Sequence, residues 1–406
     1  MPRITIHREN DGVTRLPAEI WREILLFATA LPSPWDSLCD LIHNPNPKPG
    51  EDIFGWYDRS INPARRQAWW SVWQTKVAVV LTCRTWHDIA EAMLYENIRY
   101  VSKSSAPPDV QDLPQAAPES PSSSDSDSEP LISLTKAHFV RRMDLSEKRP
   151  LHKLFSTASH CVNLNELRFV AGYTPEPDGW HQLHQMLSSL TNLRVLILHT
   201  VGNVHTVPEG SPKVILPRLE VLGIHSIRAV AVLAPWQLPS LKALSFTTFS
   251  VEHIEDILEL HGARLLSLSL VFMICPSSYP LPLHTWCPLL KFFSCMHGHD
   301  HVDTFSVLLS EHPTLQTLGV FSLHSLLVKD DDPTDAPRGS LPQELQNLTR
   351  SQFPCLRVIR DLRNIFYPER GNERAKIQIL DASVREHCRN EGLTIQNVWG
   401  EELVLT

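Results

Sequence analysis

The segments Leu164-Asn165-Glu166-Leu167-Arg168-Phe169 and Leu193-Arg194-Val195-Leu196-Ile197-Leu198 share one pattern of apolar residues. Leucine stands at the first position, and apolar residues stand at the fourth and sixth positions. The pattern returns with small variations at six later places, which begin at Leu219, Leu241, Leu265, Leu290, Leu315 and Leu356. Successive first leucines are 29, 26, 22, 24, 25, 25 and 41 residues apart. A pattern that returns at such steps predicts a repeat architecture, in which each copy is one structural unit.

Stretches with helical spacing lie between several of these segments, at residues 178–190, 250–261 and 303–311. The widest step contains a polar insert at 329–338, for which we expect either a surface loop or a degenerate repeat. One strand and one helix cannot bury their apolar faces alone, so neighbouring units must stack on a curved parallel sheet. The array resembles irregular leucine-rich repeats, although it lacks the asparagine that this family carries just after the strand. The sequence therefore predicts an α/β solenoid from residue 131 to residue 406.

The resemblance also implies a binding surface. In leucine-rich repeats, the residues between the buried strand positions point to the concave face. This set is mixed in character, neither strongly charged nor rich in aromatic residues. We therefore expect a protein substrate there, whose identity the sequence does not reveal. The candidate substrate-binding residues are Glu166, Arg168, Ile197, Lys242, Ser245, Ser269, Phe292, Arg357 and Arg360.

The distribution of residue types predicts at least two domains. Of 55 leucines, 9 lie in residues 1–130 and 46 in residues 131–406, whereas 7 of 11 tryptophans lie in the first 86 residues. A single domain would mix its apolar residue types more evenly. We therefore divide the chain into a tail at 1–12, a helical domain at 13–100, a linker at 101–130 and the repeat domain at 131–406. The overall fold class is α+β, with a small all-α module before the α/β repeats.

The helical domain at 13–100 contains three helical stretches. The first places Leu16, Ile20, Ile24 and Phe27 on one apolar stripe. The second begins at Asn62-Pro63, because proline is well tolerated in the first turn of a helix. The third covers residues 82–95, with apolar residues again at helical spacing.

Two short motifs in this module, Leu16-Pro17 with Glu19-Ile20 and Cys83-Arg84 with Trp86, resemble those of the F-box family. The segment Tyr95-Glu96-Asn97-Ile98 matches the end of a divergent fungal form of that family. The resemblance implies that the module docks on a Skp-type adaptor and, through it, on a cullin. A proline-rich insert at about 32–68 separates the two halves more widely than usual, so it could cover part of the docking surface. The implied contact residues, or residues of the small core beneath them, are Leu16, Pro17, Ile20, Ile24, Leu81, Cys83 and Trp86.

The linker at 101–130 is nearly devoid of apolar residues, so it cannot bury enough surface to offset the entropy cost of ordering. Five of its serines lie among acidic residues, a context that acid-directed kinases favour. Phosphates would add negative charge and extend the linker by repulsion. An unmodified solvated tether is the simpler interpretation. The candidate phosphorylation sites are Ser122, Ser123, Ser124, Ser126 and Ser128.

One cluster suggests metal chemistry, because Cys295, His297, His299 and His301 alternate along the chain. Thiolate and imidazole groups suit zinc, but no second ligand-rich stretch lies nearby in the sequence. We therefore expect no bound metal and no other cofactor. Glycine is scarce, at 15 residues, and no phosphate-binding glycine motif or nucleophile elbow is present. A catalytic role is not expected.

The overall charge and hydropathy exclude further classes. The formal net charge is −8 and no run of Lys or Arg exceeds two residues, which disfavours nucleic acid as a partner. No apolar stretch approaches the ~18–20 residues that cross a bilayer, and no signal peptide is recognised at the start. Eight cysteines without regular spacing are typical of reduced thiols in a cytoplasmic or nuclear protein.

Three functional hypotheses remain. The first is the substrate-recognition subunit of a Skp–cullin–F-box ubiquitin ligase, in which the partners carry out the ubiquitin chemistry. The second is a leucine-rich-repeat scaffold with no ligase role, whose helical module only caps the repeats. The third is a metal-dependent enzyme that uses the cluster at 295–301, and it is the least supported of the three.

Overall fold

A computed structural model of the protein describes most of the repeat region and three segments before residue 101. The described ranges are 18–28, 63–82, 84–100, 134–146, 151–171, 177–200, 213–225, 236–248, 252–272, 281–297, 311–320, 345–361 and 382–396. Within them the chain forms helices near its N-terminus, followed by a parallel sheet with helices between its strands.

Three helices precede the sheet within the described ranges, in the places that the helical spacing predicts. They are α1 (Ala18–Ala28), α2 (Pro63–Thr82) and α3 (Arg84–Leu94). Helix α2 begins at the predicted proline, where a missing N–H removes no hydrogen bond. The last six residues of the proline-rich insert are therefore helical, and the part of the insert before Pro63 lies outside the described residues.

In the part of the chain that the structure describes, the sheet has eleven strands, all parallel, and their order in the sheet is their order in the chain. Each connection thus brings the chain back beside the strand it has just left, as a solenoid requires. This arrangement is compatible with the predicted α/β repeats. The strands are β1 (Asn97–Tyr100), β2 (Arg142–Ser146), β3 (Glu166–Ala171), β4 (Val195–Thr200), β5 (Val221–His225), β6 (Ala243–Thr248), β7 (Ser267–Phe272), β8 (Phe292–His297), β9 (Thr317–Val320), β10 (Val358–Asp361) and β11 (Thr394–Gln396).

Strand β1 comes from the segment for which the sequence predicts only helices. It pairs with β2 in parallel register, Asn97 beside Arg142 and Tyr100 beside Leu145. Residues 97–100 therefore belong to the sheet, although they precede the linker. The helical module ends in the first strand of the repeats.

Helices occupy several of the connections between strands. They are α4 (Leu134–Ala137), α5 (Leu151–Ser159), α6 (Pro177–Ser189), α7 (Glu252–His261), α8 (Leu283–Trp286) and α9 (Ala382–Asn390). Helices α6 and α7 match the predicted stretches at 178–190 and 250–261, whereas the stretch at 303–311 lies outside the described residues except for Glu311. Helix α7 is followed by Gly262, where a Cβ atom would lie 2.6 Å from the carbonyl oxygen of Trp286. Glycine is required there because two backbones approach closely.

Register places equivalent leucines side by side. Leu167, Leu196, Leu222, Leu244 and Leu268 are neighbours across β3 to β7, and each is at most 1% exposed. Together with the apolar sides of the connecting helices, they belong to one continuous hydrophobic core. A shift of the strand register by one residue would move the buried leucines to the opposite face of the sheet. Burial of this leucine column therefore fixes the register.

A second set of contacts joins the turns that precede the strands. In many repeats the polar side chain just before the first leucine donates a hydrogen bond to the turn of the preceding repeat. Asn192 Nδ2 reaches the carbonyl of Val162 at 3.0 Å, and Ser240 Oγ reaches that of Pro217 at 2.6 Å. Further donors of this kind are Asn163 to His138, Arg218 to the side chain of Asn192, Arg264 to Pro239 and Thr314 to Pro288. We call this series the turn ladder.

The turn ladder is interrupted at two described positions. Leu289 and Cys355 stand where the other repeats carry a polar donor, and neither side chain can donate strongly to a carbonyl. Leu289 is also half-exposed. The ladder is therefore weakest next to β8 and β10.

We expect removal of one rung to destabilise the fold measurably. Ser240→Ala should lower the free energy of unfolding by about 1 kcal/mol, because it leaves the carbonyl of Pro217 without its donor. Leu289→Thr should raise it by about 0.5 kcal/mol, because it supplies a hydroxyl at an interrupted position. Urea unfolding measures both. Ser156→Ala, on the exposed face of α5, is the matched control and should not destabilise; a Ser240 variant that unfolds like this control would contradict the ladder.

Burial also makes the repeat region sensitive to acid. His312 is fully buried, and its Nε2 lies 3.1 Å from the carbonyl oxygen of Cys287, to which it donates. Burial lowers the pKa of His312, and the nearby His284 lowers it further, while hydrogen bonds to backbone carbonyls oppose the shift. Burial likewise lowers the pKa of His261. Both imidazoles are therefore held neutral in the folded chain.

The sign of the pH dependence follows from these lowered values. Since the unfolded chain binds these protons more readily, stability should fall as the pH drops below the ordinary histidine value of about 6.5. Urea midpoints measured between pH 7.5 and pH 5 should decrease, and His312→Gln should reduce that decrease. An unchanged slope in the variant would show that His312 does not contribute.

Candidate functional site

The three N-terminal helices share a small core of their own. Leu25 of α1, Val80 of α2 and Ala90 and Met93 of α3 are buried together, apart from the main core. Trp21 of α1 and Trp86 of α3 add an aromatic contact, with ring centroids 5.4 Å apart. The helices thus form a packed unit.

The same helices turn large apolar side chains toward solvent. Ile20 and Ile24 of α1 are 45% and 43% exposed, and Leu81 at the end of α2 is 78% exposed. Leu25 follows Ile24 by one residue, about 100° around the helix, and faces the core instead. The predicted stripe through Ile20 and Ile24 is therefore surface, not core.

The other residues implied by the F-box resemblance are distributed as follows. Trp86 is half-buried against Trp21. Leu16, Pro17 and Cys83 lie outside the described residues. The structure thus places Ile20, Ile24 and Leu81 at a surface and leaves the remaining contacts as predictions.

The helical unit is joined to the repeats by a cluster of charged side chains that we call the junction. Lys76 of α2 is only 1% exposed, and its ammonium group lies 2.6 Å from the carboxylate of Glu96. The backbone carbonyl of Glu96 accepts hydrogen bonds from the N–H groups of Arg141 and Arg142 at 2.8 and 2.9 Å. One residue thus binds α2 through its side chain and β2 through its backbone.

A second lysine strengthens the junction from the other side. Lys136 of α4 donates to Glu91 of α3 at 2.7 Å and to the hydroxyl of Tyr95 at 3.0 Å. Its ammonium group also lies 4.5 Å from the centre of the Tyr95 ring. These contacts raise the pKa of Lys136, chiefly through the hydrogen bond to Glu91. The lysine therefore remains charged at physiological pH.

Three predicted substrate-binding residues meet in a shallow depression at the N-terminal end of the sheet. Glu166, Arg168 and Ile197 line it with Arg142 and Asp144, and its empty volume is about 200 Å³. Arg142 holds the Glu166 carboxylate through two of its nitrogens, at 2.6 and 3.0 Å. Asp144 and Arg168 are register neighbours on β2 and β3. The charges of the depression therefore largely compensate one another.

The other predicted substrate-binding residues divide by exposure. Ser245, Ser269 and Phe292 are buried, so in this conformation they do not offer an open surface. Lys242 and Arg357 are exposed. Arg360 is half-buried and donates to the side chain of Gln396 at 3.0 Å.

The suggested metal cluster is only partly described. Cys295 belongs to the buried apolar core, and His297 is the last residue of β8. His299 and His301 lie outside the described residues. In the part of the chain that the structure describes, no three His, Cys, Asp or Glu residues come together as metal ligands.

Buried thiols elsewhere in the core are poor nucleophiles. Burial raises the pKa of Cys161 and of Cys287 to about 12, and that of Cys388 to about 11. A thiol must ionise to react, so these groups act as small apolar side chains at neutral pH.

The candidate phosphorylation sites Ser122, Ser123, Ser124, Ser126 and Ser128 all lie outside the described residues. No described helix is both long and apolar enough to cross a membrane.

Comparison with known proteins yields little at the level of sequence. No family model matches the chain, and no curated protein matches it. Among solved structures, one similar chain belongs to the crystal structure of the Rad7 and Elc1 complex in yeast. It is 15% identical over 56% of this chain and 71% of that chain, with a TM-score of 0.28. The described residues themselves define the class, an α/β repeat protein with a packed helical unit at its front.

The junction is the feature that sequence reasoning missed. Its signal was a single lysine, Lys76, among the apolar residues Val72, Val77 and Val80 of one helix. A lone charge on such a face predicts a buried partner. The partner, Glu96, lies 20 residues away in a motif that was interpreted only as a family signature.

We expect the two halves of the Lys76–Glu96 pair to differ in importance. Glu96→Gln leaves a buried ammonium group without its counter-charge and should cost about 3 kcal/mol of unfolding free energy. Lys76→Met should cost less, about 1 kcal/mol, because the remaining carboxylate is 35% exposed and can be hydrated. Urea unfolding of both single variants and the double variant measures the difference. Equal losses in the two single variants would contradict this asymmetry.

Proposed function

We propose that the protein is the substrate-recognition subunit of a Skp–cullin–F-box ubiquitin ligase. In this proposal residues 13–100 dock on the Skp-type adaptor, and the repeat domain binds a protein substrate. The observation that carries the proposal is the outward-facing apolar stripe of α1, with Ile20 and Ile24 both more than two-fifths exposed.

The physical reason is that, among the described residues, Ile20 and Ile24 do not belong to the buried core of the helical unit. The adjacent core residue Leu25 shows that α1 already has a buried side. A helix that is apolar on a second side is typical of a docking element, which places side chains three and four residues apart into a partner's groove. Leu81, which is exposed at the end of α2, adds a further apolar contact within the same helical unit.

The junction supports the same proposal. A substrate receptor must hold its substrate in a defined position relative to the adaptor. The Lys76–Glu96 and Lys136–Glu91 pairs connect the helical unit to the first strands of the sheet at 2.6 and 2.7 Å. Docking and recognition surfaces joined in this way would move as one body. No catalytic role is proposed for this chain, and the proposed place of action is the cytoplasm or nucleus.

We expect polar substitution of the stripe to abolish adaptor binding. Ile20→Asp combined with Ile24→Asp should reduce capture of a purified Skp-type adaptor at least tenfold, since two apolar anchors are lost. The matched control is Leu260→Asp, which alters an apolar residue on α7 that is 56% exposed. Circular dichroism verifies the fold of both. Retained adaptor binding by the double variant would contradict the docking assignment.

A repeat scaffold without a ligase role is the second candidate. It is favoured by the finding that β1 is the first strand of the sheet, so the helical unit also caps the repeats. A scaffold would bind no Skp-type adaptor even in its unaltered form. The wild-type chain in the adaptor capture experiment therefore separates the two candidates.

A further inference from the structure

A row of side chains crosses the sheet at the N-terminal ends of its strands. Its members are the residues just before strands β2 to β10. They follow the first leucine of a repeat, except Arg141, which follows Val140. They are aligned by the backbone, because the carbonyl of each accepts N–H groups from the next repeat. The carbonyl of Arg194, for example, accepts from Glu220 at 2.8 Å and Val221 at 3.0 Å. The same pattern continues from Arg141 to Thr394.

Basic residues occupy every second place in this row. They precede strands β2, β4, β6, β8 and β10, and all five are exposed. The places between them hold Asn165, Glu220, Leu266 and Gln316. This regular alternation stands out in a chain whose formal net charge is −8. We call the five cations the basic row: Arg141, Arg194, Lys242, Lys291 and Arg357.

The spacing of the basic row matches an extended polypeptide. Neighbouring strands lie about 4.8 Å apart, so cations on alternate strands are about 9.6 Å apart. In an extended polyproline II segment, three residues make one turn and span about 9.3 Å. Carboxylates at every third residue of such a segment lie on one side of it, so they would meet successive gaps or cations of the row.

The chain itself shows how a carboxylate fits between two members. Glu220 lies between Arg194 and Lys242, at 3.0 Å from the first and 3.6 Å from the second. In the gaps on either side of Lys291, the row instead carries Leu266 and Gln316, which bring no charge. Lys291 is thus positioned to bind carboxylates from outside. The two gaps beside it are flanked by Lys242, which Glu220 contacts on its other side, and by Arg357, whose Nη1 also donates to the carbonyls of Pro354 and Leu356.

We propose that the basic row binds an extended acidic polypeptide segment, with carboxylates at about every third residue, that crosses the sheet at the N-terminal ends of its strands. That this segment belongs to a protein substrate rests on the function proposed above, whereas the binding of such a segment does not. Single-stranded nucleic acid is disfavoured because the row contains no aromatic ring for bases to stack on.

Fluorescence anisotropy on the full chain tests the proposal with three labelled probes. The first is a peptide of glutamates at every third position with serine and threonine between them. The second has the same composition with its glutamates contiguous, and the third is an oligothymidylate of equal charge. We expect the first probe to bind several-fold more tightly than the second, with an affinity that falls as salt is added.

Two charge reversals define the site. Lys242→Glu with Lys291→Glu should weaken binding of the first peptide about tenfold or more, because two attractions become repulsions. The second variant, Arg141→Glu with Lys291→Glu, leaves the Lys242–Glu220 contact in place. A loss of binding in this variant therefore cannot come from disturbance of that contact. The matched control, Lys213→Glu with Arg389→Glu, changes the net charge equally at exposed positions outside the row and should bind as the wild type does.

Three outcomes would overturn the proposal. They are equal binding of the two peptides, equal losses in the row and control variants, and tighter binding of the oligothymidylate that the row variants abolish. The adaptor-docking variant Ile20→Asp with Ile24→Asp should bind the peptide normally. Failure of adaptor docking with peptide binding intact would therefore affect only the proposed ligase function.

Discussion

The parallel register of neighbouring strands is the constraint on which the rest of the structure depends. The equivalent leucines of neighbouring repeats must lie side by side to stay buried. The residues just before and just after the first leucine of each repeat therefore also lie beside their equivalents in the neighbouring repeats. The core column, the turn ladder and the basic row are therefore three consequences of one alignment. Ser240, Leu241 and Lys242 show this directly, since these consecutive residues contribute one member to the ladder, the core and the row.

An open sheet also has ends, and an uncovered edge strand invites pairing with other chains. At the front, β1 comes from the helical unit and is held there by the junction. Glu96 is central, because its carboxylate neutralises Lys76 while its carbonyl begins the hydrogen-bond pattern that runs along the strand starts. The helical unit thus supplies and anchors the first strand of the repeats whether or not it docks on an adaptor.

The repeats could be predicted from the sequence because their signal is periodic and local. Leucine spacing located β3 to β10, and helical spacing located α6 and α7 within a residue or two. The junction and β1 could not be predicted, because Lys76 and Glu96 meet only through the tertiary fold. The stripe of α1 was recognised, but periodicity alone could not tell whether Ile20 or Leu25 faces the core. The burial of predicted concave residues such as Ser245 could not be predicted either. The repeat pattern indicates which face of the sheet a side chain points to, but not whether other residues cover that face.

The order of the strands has a mechanical consequence. Every strand touches only its neighbours in the chain, so a force applied to the two ends would detach units one at a time and not shear the whole sheet at once. At the front, detachment must first separate the ion pairs of Lys76 and Lys136. At the back, β11 has only three residues. There, however, Arg350 donates to the carbonyl of Glu391 at 2.7 Å and to its carboxylate at 2.8 Å. Under load, each end would therefore stay attached until its own few contacts break.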